Sequence, residues 1–375
     1  MIPHARDLSS VSIAGASSVD PLIRRLRSVA VSALPRMFSP GAQRYVFTVR
    51  REDGFLRPAG VSSRYTAITL IGLAADGLDA WTLPYDARAL ARALVKDLPA
   101  TRNLGDAALI AWAARAVGGD SQPAWQHLTR LLARRANHPT VEVAWALAAA
   151  TMDPHVSGSE LPRQLTASLL RAWNAESSLF AHTAGDHGAR AHVTCFADQV
   201  YPIFALSRVA ASQGDLAALD AAARCARRIC ALQGSAGQWW WHYDHRTGEI
   251  IEGYPVYAIH QDAMAPMALR AVQDAGGGQF ENPIQRGLRW LEHSPELNDA
   301  SLIDTSAQMV WRKVARREPL KATRFVQAAC TALHPRLRAP GADTLFPAVA
   351  IDYEDRPYHW GWFLYAWAAS QDARP

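Results

Sequence analysis

Helical segments of two kinds alternate from one end of this chain to the other, and that alternation limits the possible folds more than any other feature. One kind is apolar on nearly every face: RYTAITLIGLAA (64–75), GDAALIAWAARAV (105–117), VEVAWALAAATM (141–152), CFADQVYPIFALSRVAA (195–211), YAIHQDAMAPMALRAV (257–272), IDTSAQMVW (303–311) and HWGWFLYAWAA (359–369). A helix without a wet face must be surrounded by protein. The other kind, such as ARALARALVKDL (87–98), AWQHLTRLLARRA (124–136) and LAALDAAARCARRICAL (216–232), carries one apolar stripe and one arginine-rich face, as a helix on the outside of a molecule does. Inner and outer helices recurring about every 45 to 60 residues describe stacked αα-hairpins, which close into a double-walled ring when six or seven are joined. The expected fold class is therefore all-α, an α/α toroid of six to seven hairpins. A single domain over 1–375 is expected, with 1–18 as an irregular N-terminal segment. An open, curved stack of hairpins is the alternative.

The length of 375 residues, 49% of them hydrophobic, suffices for one large core. The charge of +5, from 39 basic against 34 acidic residues, is small and scattered, unlike the clustered stripe of a nucleic-acid-binding surface. No stretch approaches the roughly 18 uninterrupted apolar residues of a membrane span, and the N-terminus lacks a secretory pattern, so a cytoplasmic location is expected. The four cysteines lie in helical, alanine-rich surroundings and read as free thiols. Cys225 and Cys230 are roughly 140° apart around a helix, a poor metal clip. No Gly-rich phosphate loop, dinucleotide fingerprint or nucleophile elbow occurs, and neither a metal nor a cofactor is expected.

One segment breaks the helical rhythm. GQWWWHYDHRTGEIIEGYPVY (237–257) is longer than an ordinary helix–helix loop and can form a short β-hairpin near 239–256, turning at Arg246-Thr247-Gly248. Long loops of this kind tend to carry function. Its start, Gln233 to Trp239, reads Q-x-x-x-G-x-W and resembles the QW motif of the terpenoid-cyclase family of α/α toroids; Arg286 to Leu291 is similar to the front half of that motif, with Pro295 where the glutamine would stand. In that family the motif ties an outer helix to its neighbour, so the resemblance implies a fold. The family's Asp-x-Asp-Asp acid and the zinc set of the related protein prenyltransferases are missing here. The hairpin rhythm is also similar to that of six-hairpin glycosidases, lyases and sugar epimerases.

In a closed double ring the ends of the inner helices surround one cavity, and polar residues there converge. The ends supply Arg64 and Tyr65, Asp106, Glu142, Asp198 and Gln199, His260, Gln261 and Asp262, Asp304 and Gln308, and His359. His260-Gln261-Asp262 is the strongest position: three polar residues interrupt an apolar helix, and Pro266 removes the N–H that would bond the Asp262 carbonyl, so a kink is expected. Asp262 and Asp198 are the expected acid and base, His260 their helper, and Asp244 and Glu252 of the hairpin the alternatives. Trp240, Trp241, Tyr243, Tyr201, Tyr254, Tyr257 and Trp360 are the expected aromatic walls, with Gln261, Arg64 and His359 adding hydrogen bonds and Arg57 a second anchor for an anion. A small-molecule or oligosaccharide substrate, and a carbohydrate-active enzyme of hydrolase, lyase or epimerase type, fit this set best. A terpenoid-cyclase-like enzyme and a non-catalytic binding scaffold are the alternatives.

Overall fold

The computed structural model describes residues 19–135 and 137–368. The expected irregular segment 1–18 and the tail of the last expected helix lie outside the described residues. Among them the helices are α1 (Val19–Arg36), α2 (Ser63–Ala75), α3 (Ala87–Asp97), α4 (Leu104–Ala116), α5 (Gln122–Arg134), α6 (Thr140–Met152), α7 (Leu161–Ala172), α8 (Phe196–Gln213), α9 (Leu216–Ala231), α10 (Ala265–Asp274), α11 (Glu281–Glu292), α12 (Ala322–Leu333), the short α13 (Ala342–Leu345) and α14 (Pro357–Ala366).

Six of these form an inner wall, each packed on the next in the order α2, α4, α6, α8, α10, α14. The wall closes because α14 returns to pack on α2. Two glycines make this seam possible: a Cβ on Gly72 would stand 2.0 Å from the Gly361 carbonyl oxygen, and one on Gly361 would stand 2.6 Å from the Ile68 carbonyl oxygen. The backbones touch, and no larger residue fits. The outer wall consists of α1, α3, α5, α7, α9 and α11, each with its apolar stripe on the inner helices and its charges outward. The molecule is an α/α toroid of six hairpins.

The expected seventh inner helix does not form. Residues 303–317 instead contain a tight hairpin, Ile303–Asp304 against Met309–Val310, followed by the strand Lys313–Ala315. Gln308 sits in the turn at φ 53°, which no helix tolerates, and Asp304 is drawn to Arg51 at 2.6 Å rather than to a ring mouth. The hairpin expected in 239–256 is present as His242–Asp244 against Ile250–Glu252, and Val193–Cys195 joins it as a third antiparallel strand.

Short strands crown one end of the ring. Val193–Cys195 runs directly into α8, Val256–Tyr257 leads towards α10, and Glu354–Asp355 leads into α14. These strands fix the approach of each chain segment to the N-terminal ends of the inner helices. No helix among the described residues is long and apolar enough to cross a membrane.

Candidate active site

At the crowned end the inner helices enclose a cavity of about 190 Å³, small enough to suit one compact ligand. It is lined by Arg64, Arg312 and His260, by Tyr65, Tyr201, Tyr257 and Tyr358, by Trp145 and Trp241, and by the apolar Ile68, Val141, Ala197 and Met264. No carboxylate among the described residues lines it.

The segment that delivers His260 is irregular for the reason the sequence gives. Pro266 cannot donate to the Asp262 carbonyl, and the turn His260–Met264 widens to a π-helix in which the Ala265 N–H bonds to the His260 carbonyl. The freed Asp262 carbonyl accepts instead from Trp367 Nε1 at 2.6 Å. The widened turn sends neighbouring side chains in opposite directions. His260 meets Trp241 in a stacked arrangement at 5.7 Å and also touches Tyr257 and Phe196. Asp262 points into the ring wall, where it receives His359 Nε2 at 2.8 Å with both groups buried.

Burial drives the His260 pKa down to about 3, with Arg312 and His359 adding to the shift and the Trp239 carbonyl opposing part of it. The imidazole is neutral at ordinary pH. Its ring nitrogen Nδ1 makes no hydrogen bond. Each cavity arginine is backed by acids. Arg64 Nε donates to Asp106 at 2.5 Å and Nη2 to Asn103. Asn103 in turn donates to Glu142 at 2.6 Å. Arg312 donates to Glu354 through Nη1 and stands 5.1 Å from the Tyr257 ring centre, while its Nε, like Trp241 Nε1, is buried without a protein partner. Tyr65 stacks on Tyr358 at 4.5 Å and accepts from Arg356 at 2.9 Å. Burial pushes the Tyr358 hydroxyl up to about 12 against the pull of Arg312, so it stays a hydrogen-bond donor.

Of the residues expected to form the site, His260, Trp241, Tyr201, Tyr257 and Arg64 share this cavity. Asp198 and Asp262 are not brought together. Asp198 closes a capping box at the start of α8, accepting from the Cys195 N–H at 2.8 Å, and receives His182 Nδ1 at 3.1 Å in an adjoining groove. Asp262 is committed to His359. His359 and Trp360 lie inside the wall, stacked at 5.0 Å, with Trp360 Nε1 bonded to Asp355 at 3.0 Å. Gln261 is buried and bonded to the Tyr257 carbonyl, and Tyr243 is buried with its hydroxyl on the Trp240 carbonyl. Trp240 packs on Tyr254, whose hydroxyl reaches Glu296 at 2.8 Å, away from the cavity. The alternatives Asp244 and Glu252 are held by Arg246 and Arg316, and Arg57 reaches Glu52 on an exposed strand. Gln233 of the QW-like motif binds the Pro283 carbonyl and Arg286 of α11, so it ties a loop to an outer helix through a carbonyl rather than capping N–H groups.

Arg312, Trp145 and Tyr358 are the wall residues that sequence reasoning misses. Trp145 follows Glu142 by three positions on α6 and so shares its face. Arg312 is hidden by the expectation of a helix over 303–317.

No protein-family model matches the chain, and no curated protein matches it in sequence. Solved structures match it over nearly its whole length. A cellobiose 2-epimerase from Bacillus thermoamylovorans B4167 is 11% identical with a TM-score of 0.62, covering 94% of this chain and 99% of that one. A sugar epimerase from a ruminal bacterium is 10% identical with a TM-score of 0.58, covering 92% and 98%. An unsaturated glucuronyl hydrolase from Bacillus sp. GL1 is 13% identical with a TM-score of 0.52, covering 94% and 97%. At these identities the likeness is one of fold: this chain is similar to sugar-processing α/α toroids.

Proposed function

We propose that this chain is a carbohydrate-active enzyme whose central cavity holds a small sugar and moves a proton with His260. The observation that carries the reading is the buried imidazole of His260 set among aromatic, arginine and tyrosine side chains in a cavity that no carboxylate of the described residues lines. Flat indole and phenol faces match the apolar faces of a sugar ring, and N–H and O–H donors match its oxygens. His260 accepts the proton, Tyr257 or Tyr358 donates to the sugar oxygen on which charge develops, and Arg64 and Arg312 hold that oxygen in place. This division of labour suits epimerisation or elimination, in which one proton leaves a carbon beside a polarised carbonyl group. It suits less well the two-carboxylate cleavage of a glycosidic bond.

A hydrolytic reading has its own support, because Asp106 and Glu142 both act on Arg64 at the cavity edge. The two readings separate by variant. Cellobiose and an unsaturated glucuronyl sugar, chosen after the names of the structures of similar fold, are incubated with the purified protein and followed by NMR. Conversion that falls by about 100-fold or more in His260→Gln, with the melting temperature within a few degrees of wild type, supports proton transfer by His260. Loss in Asp106→Asn with His260→Gln still active moves the assignment to the hydrolytic pair. If no sugar is either converted or bound, the reading is defeated.

A further inference from the structure

Trp241 has a second face. Beyond it lies a groove of about 400 Å³ beside residues 182–195, and Trp241 lines both spaces. Trp241 is the wall residue the two spaces share. His242 forms part of the groove wall; it is only 7% exposed, and its Nδ1 has no hydrogen-bond partner. Arg190 lines the same groove, and Arg324 of α12 stands beside it. Their guanidinium carbons lie 4.8 and 4.9 Å from the centre of one ring, that of Phe325.

This pair differs from the other arginines around the crowned end. Arg64, Arg312, Arg316 and Arg356 each have an acid in ion-pair contact. Arg190 and Arg324 have none among the described residues, and the Nε of Arg324 is buried and unpaired. The two acids that line the groove are otherwise engaged: Asp198 by its helix cap and His182, and Asp186 by the Gly188 N–H. Two guanidinium groups sharing one ring repel each other, and burial together with that repulsion lowers the Arg190 pKa. An anion placed between them relieves the repulsion and meets planar donors of the right shape. Arg324 also acts on His242 and on Tyr257 of the central cavity, so it lies near the junction of the two spaces.

We propose that the groove binds a carboxylate, phosphate or sulfate group on a sugar whose reacting ring occupies the central cavity, with Arg190, Arg324 and His242 as its ligands. The inference rests on the sugar reading and adds the charge of the substrate. Calorimetric titration of the full chain with cellobiose and with its 6′-carboxylate, 6′-phosphate and 6′-sulfate counterparts tests it. At least one charged sugar is expected to bind roughly tenfold or more tightly than cellobiose, with an advantage that shrinks as salt is added. The advantage is expected to fall in Arg190→Gln, a change at an exposed residue, and to vanish in the Arg190→Gln, Arg324→Gln pair while cellobiose affinity is unchanged. The anion that gains most identifies the substituent. Equal affinity for neutral and charged sugars, or an advantage that survives in the double variant, overturns the subsite and leaves the sugar reading standing. Binding of none of these sugars overturns the sugar reading and the subsite with it.

Discussion

Acidification should reveal the neutral imidazole in the cavity. The folded pKa of His260 is about 3 against an ordinary value of 6.5. Because the folded value is depressed, the unfolded chain binds the extra proton first. The contribution to stability is full above the ordinary value and is lost as pH falls towards 3. Between pH 7 and pH 5 the loss integrates to about 2 kcal/mol for this one group, and it barely changes if the folded value is a unit higher. His182 and His359 shift the other way, the first raised by Asp198, the second raised by Asp262 against the effect of burial, and they offset part of the slope in the whole protein. The comparison must therefore be with a variant. His260→Phe keeps a ring against Trp241 and removes the proton site. Urea unfolding at the two pH values should show wild type losing about 2 kcal/mol more than His260→Phe, whatever their difference at pH 7. Equal losses would mean that the folded protein protonates this ring as readily as the unfolded chain does, and the burial-depressed pKa argued for His260 would fail.

Three further outcomes follow from the packing. Gly72→Ala drives a methyl group into the Gly361 backbone at the ring seam, so it should cost about 3 kcal/mol or more in chemical denaturation, whereas alanine at exposed Gly41, with nothing within 4 Å, should cost little. Trp367→Phe removes the N–H from the Asp262 carbonyl and leaves that group buried and unpaired; a loss of about 1–3 kcal/mol is expected, together with faster hydrogen exchange in the π turn. Asp355 is buried with its pKa raised to about 6. The folded state holds this proton longer than the unfolded chain, and stability is lost as pH rises from about 4 to 6. Asp355→Asn should therefore gain on wild type by up to about 3 kcal/mol across that window, read from melts at several pH values.

The architecture was legible because an inner helix has no wet face to hide. VEVAWALAAATM and GDAALIAWAARAV cannot sit on a surface, and both line the ring. IDTSAQMVW misleads for a physical reason: a hairpin of two-residue strands is too short to show alternation, and its turn is made by Gln308 in the left-handed region without a glycine to mark it. The site was legible in part. His260 and Asp262 stand two positions apart, roughly 200° around a regular helix, so both could not face one cavity. What the sequence could not supply was which of the two faced inward. That depended on where His359, Trp367 and Trp241 sat, and all three come from other parts of the chain.

The acids near the cavity explain why it presents so many donors. Asp106 and Glu354 hold Arg64 and Arg312 from behind, and Glu354, although burial pushes it up, is kept ionised below the usual range by Arg312, Arg356 and Arg50. With their acids so engaged, Arg64 and Arg312 line the cavity beside Trp241, and Arg312 Nε and Trp241 Nε1 are left without a protein acceptor. A ligand must therefore bring acceptors, as a sugar does with its many oxygens. An anionic ligand would bring one thing more. Placed beside Arg312, its charge would oppose the influence that now helps to hold down the His260 pKa, raising the imidazole towards the range where proton transfer is efficient. A substrate that carries negative charge, as proposed above, would therefore act on both the His260 imidazole and the arginine pair Arg190 and Arg324.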